Sequence, residues 1–144
     1  MTLTPDNHFV ISTSRDGTVR LWNITTGEAL GTPLTDHQDW VMSVAIQPDG
    51  TLFATTGRDG SVILWDFETR QSIGLPLQAH NGMVADSVFI ADGAQLVTVG
   101  EDGNIIAWQT ATAEWQHIAC GIANRQLTPD EWERFLNTPY QETC

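Results

Sequence analysis

Asp-Gly pairs begin at Asp16, Asp59 and Asp102, and a tryptophan follows each Asp by six residues, at Trp22, Trp65 and Trp108. Both series advance by 43 residues with no insertion between copies. The same step joins Asp6, Asp49 and Asp92, His37 and His80, and "GTPL" at 31–34 with "GLPL" at 74–77. A period of this length marks one supersecondary unit written three times, and such units bury their apolar faces by stacking on one another.

The middle copy reads as "VMSVAIQ", "TLFATTG", "SVILWDF" and "QSIGLPL", separated by "PDG", "RDG" and "ETR" and followed by "QAH". The runs are short and rich in Val, Ile, Leu, Phe and Thr, and Asp-Gly supplies the positive φ of a tight hairpin turn. Four antiparallel strands per unit follow, and the chain is expected to be all-β. Phe53 and Thr55 oppose Leu52 and Ala54, while Ile63 and Trp65 oppose Val62 and Leu64. Strands apolar on both faces belong between other sheets.

A hydroxyl lies four residues before each Asp, at Ser12, Thr55 and Thr98, and His37 and His80 lie 22 before the second and third Asp. Hydroxyl, imidazole and carboxylate together resemble a catalytic triad. A catalytic nucleophile is needed once, on an accessible surface, whereas groups repeated at the structural period serve the scaffold of each unit. A buried indole N–H needs an acceptor, a buried carboxylate needs donors, and an imidazole can bridge the two. A chain from Trp through Ser/Thr and His to Asp satisfies all four. Asp36, His37 and Asp39 offer a metal-like cluster, but His37 already has that structural role. No cofactor or metal is expected.

The chain carries six Arg, no Lys and 18 acidic residues, a formal charge of −12. That is the wrong sign for a phosphate backbone, so no nucleic acid partner is expected. No apolar run approaches the ~20 residues of a membrane span, and no secretion signal opens the chain, so a soluble, cytoplasmic protein without membrane contact is expected. Cys120 and Cys144 match no zinc spacing.

The leading "DH" and "AH", "PDG" after the first strand, the hydroxyl four before Asp-Gly, and "LWN" or "LWD" closing the third strand resemble the WD-repeat β-propeller family. The resemblance spans residues 1 to about 115. It implies four-stranded antiparallel blades around a channel, at about 1–35, 36–78 and 79–120, with the networks His37–Thr55–Asp59–Trp65 and His80–Thr98–Asp102–Trp108 inside them. The first copy keeps Ser12, Asp16 and Trp22, but its His would precede Met1. The third departs in ending "WQ" and in placing Ser87 where the second has Val44.

Past Trp108 the period fails. "LTPDEWERFLNTP" predicts a helix over 129–137, with Thr128 as N-cap, Pro129 at the first helical position and Glu131 completing a capping box. Asp130, Glu131 and Glu133 then fall where a helix dipole favours negative charge. Residues 121–144 are expected to cap the last blade, with Trp132 and Phe135 against it. This tail resembles the closing segment of many bacterial WD-repeat proteins, which carry an ATPase, kinase or caspase-like effector upstream.

The resemblance implies a non-catalytic scaffold for protein–protein interaction, or alternatively the sensory C-terminal part of such a bacterial signalling protein separated from its effector. It places protein partners on the narrow face that presents Trp40, Met42 and Met83, with Arg15, Arg58 and Glu101 on the turns before each Asp-Gly. Three blades leave two apolar flanks, so the chain is expected either to be the end of a longer propeller, since Met1 interrupts a strand, or to form a homo-oligomer that completes one.

Overall fold

The structure, a computed structural model, describes residues 1–78 and 80–110. The expected helix 129–137, the capping tail 121–144 and both cysteines lie outside the described residues.

Within each unit the first three strands are joined by Asp-containing turns. β1 (Thr2–Leu3), β2 (Phe9–Thr13) and β3 (Val19–Asn23) form one antiparallel sheet. A second contains β4 (Val41–Ile46), β5 (Leu52–Gly57), β6 (Ser61–Asp66) and β7 (Leu77–Gln78). β8 (Val84–Ile90), β9 (Gln95–Gly100) and β10 (Ile105–Gln109) form the third. The hairpin between β5 and β6 closes on Gly60 at φ 78°, a conformation an L side chain resists. In the first unit Asn7, at φ 59°, occupies the turn position held by Gly50 and Gly93 in the others, consistent with the tolerance of Asn for left-handed backbone.

The fourth strand is shorter than the sequence predicts. "QSIGLPL" pairs through a single bridge from Ser72 to Trp65, breaks, and resumes as β7 opposite Ser61 and Val62. Gly74 at φ 70° and Pro76, which has no N–H to donate, interrupt the ladder between them. In the first unit the fourth strand is reduced to bridges from Trp22 to Ala29 and from Val19 to Leu34.

The core lies between sheets. One face of the second sheet, with Val44, Phe53, Ile63 and Trp65, packs on Ile11, Val19, Leu21 and Leu34 of the first unit. The Phe53 and Trp65 rings stack there at 5.9 Å. The opposite face, with Ala45, Ala54, Val62 and Leu64, packs on Val84, Phe89 and Leu96 of the third sheet. Both faces of β5 and β6 are thus covered, which is why their sequences are apolar without strict alternation. The outer face of the third sheet carries Val88, Val99 and Ile105 at 54%, 38% and 74% exposure. Val88 and Ile105 hold the register positions of Ala45 and Val62, one period on.

Candidate functional site

The strand register brings Thr55 on β5 and Trp65 on β6 onto one face, where the Trp65 Nε1–H donates to Thr55 Oγ1 at 2.8 Å. His37, arriving from the loop before β4, inserts above them with Nε2 at 2.8 Å from Thr55 Oγ1 and Nδ1 at 3.0 Å from Asp59 Oδ2. Every group is satisfied when the Thr55 hydroxyl donates to Nε2 and the Nδ1–H donates to Asp59, an assignment made from the network. Asp59 also accepts from the backbone N–H of Gln38 and from both the N–H and hydroxyl of Ser61. Burial pushes the Asp59 carboxyl up, but the hydrogen bonds from Ser61, Gln38 and His37 outweigh it and hold the group below its ordinary value.

The third unit repeats this geometry. Trp108 Nε1–H donates to Thr98 Oγ1 at 3.0 Å, and His80 bridges Thr98 and Asp102 at 2.9 and 3.1 Å. The Asn104 N–H first, then His80, hold the Asp102 carboxyl below the usual range. In the first unit Trp22 Nε1–H donates to Ser12 Oγ at 2.8 Å, but no imidazole links Ser12 to Asp16. Asp16 instead accepts from the Thr18 hydroxyl and N–H, which lower its pKa.

Three residues escaped the sequence reading, two of them glycines. A Cβ on Gly57 would overlap Asp59 Oδ1 and His37 Nδ1, and one on Gly100 would overlap His80 Nδ1 and Asp102 Oδ1. These glycines are required by the clasp and not by backbone conformation, since neither has a positive φ. The first unit, which has no clasp His, carries Ser14 at this position, and its Oγ accepts the Asp16 N–H. The signal was present: "TTG" and "TVG" where a His exists, "STS" where it does not. Ser61 was also missed, although a polar residue follows each Asp-Gly, at Thr18, Ser61 and Asn104.

Triad-like as the distances are, the clasps are closed to chemistry. Thr55 is 0% exposed and Thr98 1%, and each hydroxyl oxygen already has a Trp and a His against it. Both nitrogens of His37 are engaged, which removes it from the Asp36–His37–Asp39 cluster as a metal ligand. His8, without an evident partner in the sequence, lies 3.1 Å from Asp6 in the first turn.

The residues expected to face partners divide. The Arg15 and Arg58 guanidinium carbons lie 4.6 and 4.9 Å from the centroid of the half-buried Trp40 indole, an arrangement with a favourable cation–π contribution. Both Arg are exposed. The Arg58 N–H donates to the Trp40 carbonyl at 2.8 Å, and the Val41 N–H to the Ser14 carbonyl at 3.0 Å, so backbone bonds hold these three residues together. One period on, the Glu101 N–H donates to the Met83 carbonyl at 2.8 Å, so Met83 and the exposed Glu101 occupy the corresponding place. Met42 is exposed on β4 and is not brought into either group.

No curated protein matches the sequence significantly. The solved WD40 repeats of RRP9 align with a TM-score of 0.72 at 24% identity, covering 78% of this chain and 34% of that one. U3-55K aligns with a TM-score of 0.71 at 24% identity, covering 78% and 35%. The chain thus spans about a third of the length of these solved chains. The profile described as "WD domain, G-beta repeat" matches residues 1–23, 27–66 and 71–109, in the same register as the Trp–hydroxyl pairs. With that match over most of its length and sheets of the corresponding topology, the chain belongs to the WD40 repeat family.

Proposed function

We propose that this protein is a non-catalytic interaction scaffold that engages a protein partner at the end of the first two blades where Arg15, Trp40 and Arg58 meet. The observation that carries this reading is the contrast between two sets of functional groups. Every hydroxyl, imidazole and carboxylate that could do chemistry in the clasps is consumed in bonds within its own blade, while two exposed guanidinium groups converge on a half-buried indole. Arg and Trp are over-represented among the residues that dominate binding energy at protein interfaces. Met83 and Glu101 extend the same end of the third blade.

Panning a random peptide display library on the wild-type protein tests the reading. Selected binders should lose about 2 kcal/mol, some thirty-fold in Kd, on Trp40→Ala, with the melting transition retained. Binders that keep full affinity for a folded Trp40→Ala protein would refute it.

The exposed outer face of the third blade supports a second feature of the proposal. Val88 and Ile105 stand where Ala45 and Val62 meet a neighbouring blade, so this face suits a further blade of the same kind, in a longer chain or a second copy.

A further inference from the structure

We infer that the Arg15–Trp40–Arg58 stack recognises carboxylate side chains of an acidic peptide segment. This deepens the proposed function and rests on its reading of that end as a partner surface. Both guanidinium carbons lie within 5 Å of one indole centroid, and so at most about 10 Å from each other. Two cations at that separation repel one another. Among the described residues, no carboxylate oxygen lies within 4.0 Å of either group, although the chain has three times as many acidic as basic residues.

The nearby carboxylates are committed elsewhere. Asp16 accepts from Thr18, Asp59 accepts from His37, Gln38 and Ser61, and Asp39 accepts from the Trp40 N–H. What holds the two Arg together is the backbone pairing of Arg58 with Trp40 and of Val41 with Ser14, so the pair is organised before any anion arrives. Both Arg are exposed, and the N–H fork of an exposed guanidinium matches a carboxylate bidentately.

The repeat supplies an independent argument. Groups the fold requires recur every 43 residues, as the Asp and Trp of each unit do. The complete stack does not: Arg15 recurs as Arg58, but one period on Met83 replaces Trp40 and Glu101 replaces Arg58, with the Glu101 side chain lying beside Gly82. The arrangement is therefore a local departure from the scaffold. Glu101 also gives the surface a direction, repelling the acidic part of a peptide from the third blade and so toward the Arg pair of the first two. The net charge of −12 opposes a polyanion such as nucleic acid at long range. A short segment with one or two acidic residues feels mainly the local cations.

Fluorescence anisotropy on the full chain tests this with labelled short peptides in which a Gly-Ser frame carries a central Leu-Glu-Glu-Leu, or the same with Gln, Lys or phosphoserine in place of Glu. The Glu peptide should bind at least about ten-fold more tightly than the Gln peptide, and more weakly as salt rises. Arg15→Gln with Arg58→Gln should erase the difference, and Arg15→Glu with Arg58→Glu should transfer the preference to the Lys peptide. Equal binding of Glu and Gln peptides, both lost on Trp40→Ala, overturns carboxylate recognition and leaves the partner surface standing. Glu-peptide binding unaffected by the Arg variants, or no binding by the wild type, overturns the inference. A phosphoserine peptide preferred about ten-fold over Glu overturns the choice of carboxylate.

Discussion

Replacing Gly57 by Ala adds one methyl group at the centre of the second blade's clasp and should destabilise the protein. The backbone there is not left-handed, so Ala is conformationally acceptable and on its own would stabilise by about 0.4 to 1 kcal/mol through the unfolded chain. Against that, its Cβ would sit on Asp59 Oδ1 and His37 Nδ1. Relief requires the carboxylate or the imidazole to move. The His37 side chain is 1% exposed, so moving it strands a buried Nδ1–H, and moving Asp59 also loosens Ser61 and the Gln38 N–H. A buried donor left unpaired costs about 1 to 3 kcal/mol, and overpacking a further 1 to 3. After the entropic gain, these ranges leave a net loss of about 1 to 5 kcal/mol, at roughly 3 to 5 °C in Tm per kcal/mol for a chain of this size. Urea denaturation of Gly57→Ala beside wild type measures it. The pair Gly57→Ala and Asp59→Ala should be less than additive, because removing the carboxylate removes half of the collision. A Gly57→Ala protein as stable as wild type would show that the clasp yields at no cost, and the reasoning would fail.

Thr56 Oγ1 is buried without a hydrogen-bond partner, and Val99 occupies its register position in the third blade, so Thr56→Val should stabilise by about 1 kcal/mol in the same denaturation assay. Asp59→Ala should destabilise by about 2 to 4 kcal/mol, and equal melting temperatures would refute its place in the clasp. Because the folded-state pKa values of Asp59 and Asp102 are depressed, their contribution should be complete above the unfolded carboxyl value of about 4 and fall away as pH drops through the lower folded values; Asp59→Asn should flatten that acid limb in a pH-dependent melt. Ile105→Glu on the exposed outer face should leave the melting transition intact and reduce self-association in light scattering; an unchanged particle size would count against that face as a joint.

The blades and clasps were legible because polar residues that must meet sit at fixed offsets with no insertions. Trp65, Thr55 and Asp59 belong to one hairpin, so their spacing encodes their contact. His37 was legible only because it recurs as His80 in phase. The fourth strands were less so: "GLPL" has the composition of a strand, and what breaks it is the local geometry at Gly74 and Pro76. Gly57 was overlooked because a glycine at a strand end reads as punctuation, whereas its role is to leave space for atoms 20 residues upstream and two downstream. The Arg15–Trp40–Arg58 stack joins two blades, and its geometry depends on how one sheet sits against the next, which a single unit's pattern does not specify.

The two faces of the second blade have a consequence for how such chains change length. Each joint is made by the same register positions, Ile11, Val19 and Leu21 on one side of it and Ala54, Val62 and Leu64 at the next. The packing therefore reads only its immediate neighbour and carries no information about how many neighbours there are. A gene that gains or loses one whole 43-residue copy would present every surviving joint with compatible surfaces, so the number of copies is free to drift until closure of the array selects it. Inserting part of a copy would instead separate an imidazole from its carboxylate and fail within a single unit.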